Sequence, residues 1–341
     1  MTILVTGSAG FIGSNFINSW FDSSDEEVIS LDALTYAGNL NNLNLQDKNK
    51  NHHFENVDIS DRKKIKYLFD QYEPRAIIHF AAESHVDRSI SGSDAFIKTN
   101  IIGTYNLLEV CREYYSKHDI TFIHISTDEV FGSLSDSDDA FSELTAYKPN
   151  SPYSASKAAS DHLVRAWHHT YDLPVITTNC SNNFGPYQFP EKLIPLIILN
   201  AMSLKSLPIY GNGKNVRDWL YVSDHCHAIT RVLDKGVIGE SYNIGGNCEL
   251  TNLEVVTKIC NFLDQIKAKK QGSYLDQIKY VSDRPGHDYR YAINAKKITD
   301  NLGWSPKETF ESGLRKTVEW YIKNSEWIRD IESGRYQKIN K

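Results

Sequence analysis

Ile3-Leu4-Val5-Thr6-Gly7-Ser8-Ala9-Gly10-Phe11-Ile12-Gly13 is the stretch on which the fold is decided. Ile3 to Thr6 is short, apolar and rich in β-branched residues, and reads as a strand that stops at Gly7. From Ile12 to Phe21 the apolar residues recur at helical spacing. Three glycines lie between or within these elements, spaced GxxGxxG. Such glycines allow a tight turn and let the backbone approach a pyrophosphate, while the helix N-terminus offers N–H groups and a partial positive charge. Gly7, Gly10 and Gly13, with Phe11 and Ile12 between them, are therefore candidate dinucleotide contacts. Asp32 ends the next apolar run, Val28 to Asp32, about twenty residues on. An acid there accepts hydrogen bonds from an adenosine ribose diol and repels a 2′-phosphate, which favours NAD over NADP. Asp58 and Ile59 end the following short run and are placed to edge an adenine ring.

Working outward, the same alternation continues. Ala76 to Phe80, Phe122 to Ser126 and Val175 to Asn179 read as strands. Lys63–Gln71, Ala95–Tyr115 and Tyr153–Tyr171 read as helices. Near-continuous apolar strands alternating with helices imply an α/β fold, a Rossmann-type doubly wound parallel sheet covered on both faces. Ligands in such sheets bind beyond the carboxyl ends of the strands. After about residue 180 turn signals crowd in, at Phe184-Gly185-Pro186-Tyr187, Gly211-Asn212-Gly213 and Gly245-Gly246-Asn247. Helices are expected at Glu191–Met202, Asn252–Ile266 and Phe310–Ile328. The expected division is a Rossmann domain over 1–180 carrying the catalytic residues, and a smaller α/β part over 181–341 that mainly holds substrate, with some elements returning to the first. Ser133 to Asp139 reads as a solvated loop.

The bulk properties narrow the class. With 341 residues, about two domains are expected. A net charge of −6 argues against a phosphate-backbone-binding protein, so no nucleic-acid partner is expected. No apolar run approaches the ~20 residues needed to span a bilayer, and the chain enters a strand at once without a signal-peptide pattern. Five scattered cysteines with no CxxC read as reduced thiols of a cytoplasmic protein. The pairs His52-His53, His168-His169 and His225/His227 lack a companion ligand pattern, so no metal site is expected.

Two motifs carry chemistry. Tyr153 and Lys157 lie four apart and share a helix face. A phenol with a pKa near ~10 is a poor base at neutral pH, and a lysine ammonium beside it favours the phenolate. That pair can take the proton of an alcohol as hydride leaves its carbon. Upstream, Thr127, Asp128 and Glu129 follow a buried strand and add a hydroxyl and two acids. Neighbouring carboxyl groups titrate apart, one as acid and one as base. A simple alcohol oxidation has no use for that surplus.

The glycine turn, Tyr153-x-x-x-Lys157 and the Thr127-Asp128-Glu129 triplet resemble the extended short-chain dehydrogenase/reductase family, and within it the nucleotide-sugar dehydratases. Leu34-Thr35-Tyr36-Ala37-Gly38-Asn39-Leu40, Ala81-Ala82-Glu83-Ser84-His85-Val86-Asp87-Arg88-Ser89, Thr178-Asn179-Cys180-Ser181-Asn182-Asn183 and Asp283-Arg284-Pro285-Gly286-His287-Asp288 extend the likeness from Met1 to about Trp320. The resemblance implies tightly held NAD and dTDP-glucose as substrate, converted to a 4-keto-6-deoxy sugar. In it Tyr153 opens C4 to oxidation, Glu129 takes the C5 proton, Asp128 protonates the leaving C6 hydroxyl and Thr127 binds the C4 oxygen. It further places Leu34, Thr35, Ala81, Ala82, Thr99 and Asn183 at the cofactor. Ser84 and Asn182 are implied at the glucose, Lys192, Leu193, Pro208 and Tyr210 along the base and sugar, and Arg217, Asn252, Asp283, Arg284 and His287 around the nucleotide. Arg217 and Asp218 have an internal ion pair as their other reading. A homodimer built on Ala95–Tyr115 and Tyr153–Tyr171 is also implied. The alternatives are a dehydratase or 4-epimerase of a UDP- or GDP-sugar, and, from another class, a silent NAD-binding scaffold.

Overall fold

Every residue of strand β1 (Thr2–Thr6) is buried, as its unbroken apolar run requires of a strand covered on both faces. The structure is a computed structural model that describes residues 1–43 and 51–339, so the last two residues of the expected second part lie outside it. β1 is followed by β2 (Glu27–Asp32), β3 (His52–Asn56), β4 (Ala76–His79), β5 (Thr121–Thr127) and β6 (Val175–Cys180). Three short strands, β7 (Asn182–Phe184), β8 (Leu207–Tyr210) and β9 (Val216–Tyr221), precede β10 (Ser241–Ile244). β11 (Glu249–Thr251) and β12 (Ile278–Val281) come last.

Seven strands form one sheet in the order β10-β6-β5-β4-β1-β2-β3, with every pairing parallel. The chain first runs outward from β1 to β3, then resumes at β4 on the other side of β1. That reversal opens a crevice at the carboxyl ends of β1 and β4. Alternate residues of the strands feed two cores. Ile3, Val5 and Val28 pack with Phe16 and Trp20 on one face, and Leu4, Ile29 and Phe122 pack with Ile65 and Leu107 on the other. A third core, with Ile194, Val255, Phe310 and Tyr321, joins the helices Leu193–Met202, Asn252–Ile266 and Phe310–Lys323. Around it β11-β9-β7 and β12-β8 form two small sheets.

Three expectations are adjusted. The span Ala95–Tyr115 is a short helix Asp94–Phe96, a widened π-type stretch Ile97–Gly103 and an α-helix Thr104–Tyr115. Asn100 lies in the widened stretch, and its side chain is bonded to Glu83 N, Glu83 O and Ser156 Oγ. The span Phe310–Ile328 breaks at Asn324, whose side chain bonds Trp320 O, and restarts as Ser325–Glu332. The helix expected from Glu191 begins at Leu193. After the break the chain returns to the Rossmann part. Trp327 Nε1 donates to Asn42 Oδ1 at 2.8 Å, and Tyr336 OH donates to Tyr36 O at 2.6 Å. Among the described residues no helix is long and apolar enough to cross a membrane.

Candidate active site

The glycine turn is built for close approach. Gly7 sits at φ +67°, and a Cβ there would lie 2.6 Å from Ala81 N. A Cβ on Gly13 would lie 2.2 Å from Gly7 O. Asp32, at the end of β2, accepts Ala9 N–H at 2.9 Å on one oxygen and Leu34 N–H at 2.8 Å on the other. Burial raises its pKa and these two amides oppose that rise.

One continuous cavity runs along the carboxyl ends of the strands. Gly7, Gly10, Phe11, Ile12, Gly13, Asp32 and Thr35 line it at one end, with Asp58, Ile59, Ala81, Ala82 and Thr99 beside them. Thr127, Asp128, Glu129, Tyr153 and Lys157 line its other end, with Ser84, Asn182, Asn183 and Lys192. Leu34 is not part of this lining; it packs against the core under the first strands. Leu193, Pro208, Tyr210, Arg217, Asn252, Asp283, Arg284 and His287 also lie outside it. Asp283 and His287 pair with each other at 2.6 Å, and Arg284 reaches Asp87 at 3.4 Å. Arg217 and Asp218, neighbours on β9, are not ion-paired. Arg217 donates to Val216 O, Asp288 O and Tyr289 O and lies over Tyr291, whereas Asp218 accepts Gly246 N–H and Cys248 N–H.

The candidate catalytic residues sit on β5, the turn after it and the helix Pro152–Tyr171. β5 ends at Thr127, which caps a single 3₁₀ turn, Asp128–Phe131, by accepting Glu129 N–H at 3.2 Å. Asp128 is therefore inside the turn, and the residue is 1 % exposed. Thr127 Oγ1 donates to its Oδ1 at 3.2 Å, while Oδ2 is buried without a protein partner. Burial, with Glu129 and Asp218 adding to it, holds the Asp128 carboxyl well above the usual range, which favours its neutral form. Glu129 is raised by burial too, but Lys192, Arg284 and Arg217 pull it back toward the carboxylate. The two acids thus occupy unlike environments.

Ser151 caps the helix and Pro152 occupies its first position, which fixes the entry just before Tyr153. Burial, then the charge of Glu129, pushes the Tyr153 phenol well above its ordinary value, with the Thr127 hydrogen bond opposing. Lys157 Nζ donates to Ile125 O at 2.8 Å, and burial pulls its pKa down while Asp161 supports its charge. In this state the phenol keeps its proton and the ammonium is anchored on the strand. Lys192 Nζ is likewise held, on Ser84 O at 2.8 Å.

Sequence reasoning passed over several residues of the cavity wall: Tyr36, Glu83, Gln188, Phe189 and Glu191. Tyr36 lies under Arg88 and meets Phe189 edge-on. Glu191, directly before Lys192, was open to detection as a second acid–base doublet. Of the histidines, His225 bonds Asn183 Oδ1 through Nδ1 at 3.0 Å, and burial lowers its pKa to about 3. No group of three or more potential metal ligands occurs among the described residues.

Comparison with known proteins follows the same line. Residues 4–317 match the family model described as GDP-mannose 4,6 dehydratase. The chain is 56 % identical over 351 aligned positions to the dTDP-glucose 4,6-dehydratase of Salmonella typhimurium, covering 99 % of this chain and 97 % of that one. It is 55 % identical to the enzyme of the same name from Xanthomonas campestris, over 98 % of this chain and 97 % of the relative. A crystal structure of dTDP-glucose 4,6-dehydratase from Bacillus anthracis in complex with NAD superposes with a TM-score of 0.87 at 49 % identity, over 97 % of this chain and 99 % of that one. A Thermus thermophilus UDP-glucose 4-epimerase with NAD gives 0.84 at 28 % identity, over 95 % and 100 %. The likeness is thus full-length and stronger to the dehydratases than to the epimerase, and the chain belongs to the dTDP-glucose 4,6-dehydratase family.

Proposed function

We propose that the protein removes water from dTDP-glucose to give dTDP-4-keto-6-deoxyglucose, with NAD recycled within the active site. One observation carries the reading. A buried Asp128 with an unpartnered oxygen, its carboxyl pushed up by burial, shares a cavity with Glu129 and Tyr153. An orphaned buried polar atom asks for a partner, and a bound sugar hydroxyl supplies one.

The residues present fit NAD. A glycine turn with no room for a Cβ at Gly7 or Gly13, an acid at the end of β2 and the strand-end cavity form the site such a dinucleotide needs. Gly7 to Gly13 would hold the pyrophosphate, Asp32 the ribose, Asp58 and Ile59 the adenine. Bound there, NAD supplies the hydride acceptor for C4, the hydride donor for C6 and a cationic ring.

The protein's own groups do the rest. Tyr153 takes the proton of the C4 hydroxyl, with Lys157 stabilising the phenolate and Thr127 orienting the oxygen. The C4 ketone acidifies C5–H, and Glu129, held toward its carboxylate by Lys192, Arg284 and Arg217, takes that proton. Asp128 gives its proton to the departing C6 oxygen, and water leaves. A proton then returns to C5. An elimination needs an acid and a base at adjacent carbons, and the turn after β5 delivers both from consecutive residues.

Ser84, Asn182 and Lys192 contact the sugar end. Arg217, Asn252 and the Asp283–His287 turn bind the nucleotide, and Leu193, Pro208 and Tyr210 flank it. Residues 1–180 form the NAD half and 181–341 mainly the substrate half, with β10 rejoining the main sheet. The five unpaired thiols support a cytoplasmic setting, and the exposed Ile97 and Ile102 on the widened stretch, with Tyr171 at the end of the helix Pro152–Tyr171, support a homodimer. Purified protein incubated with dTDP-glucose is expected to yield a keto sugar lighter by one water, without net NADH. A product of unchanged mass, epimerised at C4, would overturn the reading. Parallel reactions with UDP-glucose and GDP-mannose test the nucleotide.

A further inference from the structure

Among the buried acids that the mechanism leaves unused, Asp161 lies nearest in sequence to Tyr153 and Lys157. Asp161 lies on the helix Pro152–Tyr171, one turn after Lys157 and two after Tyr153, and is 4 % exposed. Its Oδ2 accepts Ser126 Oγ at 2.8 Å, Tyr147 OH at 2.9 Å and Asn179 Nδ2 at 3.4 Å. Its Oδ1 meets His124 Nε2 at 3.0 Å. Two of these partners, His124 and Ser126, flank Ile125, whose carbonyl accepts Lys157 Nζ. Lys157 and Asp161 therefore grip the same three residues of β5, immediately before Thr127, Asp128 and Glu129.

The charges facing Lys157 come from four elements. His124 on β5 and His79 on β4 are kept neutral by burial, and Lys157 itself presses both down. Cys180 on β6 is kept a thiol, pushed up to about 12 by burial. Tyr153, on the same helix, is a neutral phenol here. Asp161 is the remaining group, and the one that most supports the Lys157 charge against burial. A neutral His124 must donate through Nε2, because a carboxylate has no proton to offer.

We propose that Asp161 is a positioning residue for the Tyr153 proton transfer, its carboxylate being the counter-charge that keeps the Lys157 ammonium cationic and in place on β5. The inference rests on the roles given above to Tyr153 and Lys157.

The test is the pH dependence of kcat and KM with dTDP-glucose, on the NAD-loaded enzyme. Without the carboxylate the ammonium is less stable, so Lys157 loses its proton at lower pH and the alkaline limb of kcat moves down. Asp161→Asn is expected to lower kcat at least about tenfold with KM within about twofold, and to move that limb down by about one pH unit. Asp161→Ser, smaller and also uncharged, gives the same reading if the Asn variant folds poorly by circular dichroism. Tyr147→Phe removes one donor but keeps the charge, so its limb stays in place. An unmoved limb in a folded uncharged variant, or an equal displacement in Tyr147→Phe, would overturn the proposal. Tyr153→Phe separates the two levels. If it retains parental turnover, the proton-transfer reading itself fails; if it is inactive while the Asp161 variants keep the parental profile, only the role of Asp161 fails.

Discussion

Gly13→Ala sets two opposing effects against each other. Gly13 lies inside the helix Phe11–Trp20, where alanine in place of glycine is worth about 1 kcal/mol of helix stability. The added Cβ, however, would sit 2.2 Å from Gly7 O, 3.0 Å from Gly7 C and 3.1 Å from Ser8 Cα. All three are backbone atoms, and ordinary carbon contacts begin near ~3.5 Å. The turn must therefore retreat by more than about 1 Å, and overpacking of this kind costs about 1–3 kcal/mol. The balance without cofactor is a loss of up to about 2 kcal/mol. The larger effect falls on NAD, because the displaced atoms are the turn that meets the pyrophosphate. Urea unfolding with and without NAD separates the terms. At a concentration one hundred times its Kd, NAD adds about 2.7 kcal/mol to the parent; a site weakened tenfold gains only about 1.4 kcal/mol at the same concentration. If Gly13→Ala were more stable than the parent by about 1 kcal/mol and kept the full NAD increment, the glycine turn would not be the cofactor's seat.

Glu129→Gln is expected to spare C4 oxidation and slow elimination by about 10²–10⁴, seen as persistent reduced-nicotinamide absorbance without a dehydrated product. Because the Glu129 charge raises Tyr153, its loss also lets the remaining oxidation run at lower pH. Glu109, held by Arg112, Arg62 and Trp167, has a depressed pKa, so its contribution is present above the unfolded value near ~4.3 and fades as pH falls through the folded one. Glu109→Gln should therefore cost about 1 kcal/mol near neutrality, the gap to the parent closing in urea titrations at about pH 3. A gap that persisted there would place the source elsewhere. Trp327→Phe leaves Asn42 Oδ1 without its donor and should cost about 1–3 kcal/mol, with weaker NAD retention on gel filtration; an unchanged melting midpoint would deny the contact any weight.

Much of the Rossmann half is legible in sequence because its strands are buried on both faces and announce themselves as apolar runs. β3 and β10 are not. β3 is an edge strand reading His52-His53-Phe54-Glu55-Asn56, with little apolar pattern to betray it. β10 has four residues, and its buried Asn243 donates through its backbone N–H to Glu143 and through Nδ2 to Phe141 O, contacts about a hundred residues away. The acid pair was readable as a pair, but the inequality between Asp128 and Glu129 was not. It arises from Lys192 and Arg284, whose charges act on Glu129 and are not among the main influences on Asp128, whereas Arg217 acts on both. The broken helix at Asn324 and the widened stretch at Ile97–Gly103 depend on tertiary contacts that periodicity does not register.

The ties from Trp327 to Asn42 and from Tyr336 to Tyr36 span 285 and 300 residues of chain. A ribosome adds about 5–20 residues per second, so the cofactor loop emerges roughly 15–60 seconds before its fasteners exist. During that interval the glycine turn and β1 can already be assembled, yet the wall formed by Tyr36 has nothing behind it. Full support of the cofactor loop is thereby delayed until residues 327–336 have been made, and chains interrupted before them would lack both ties.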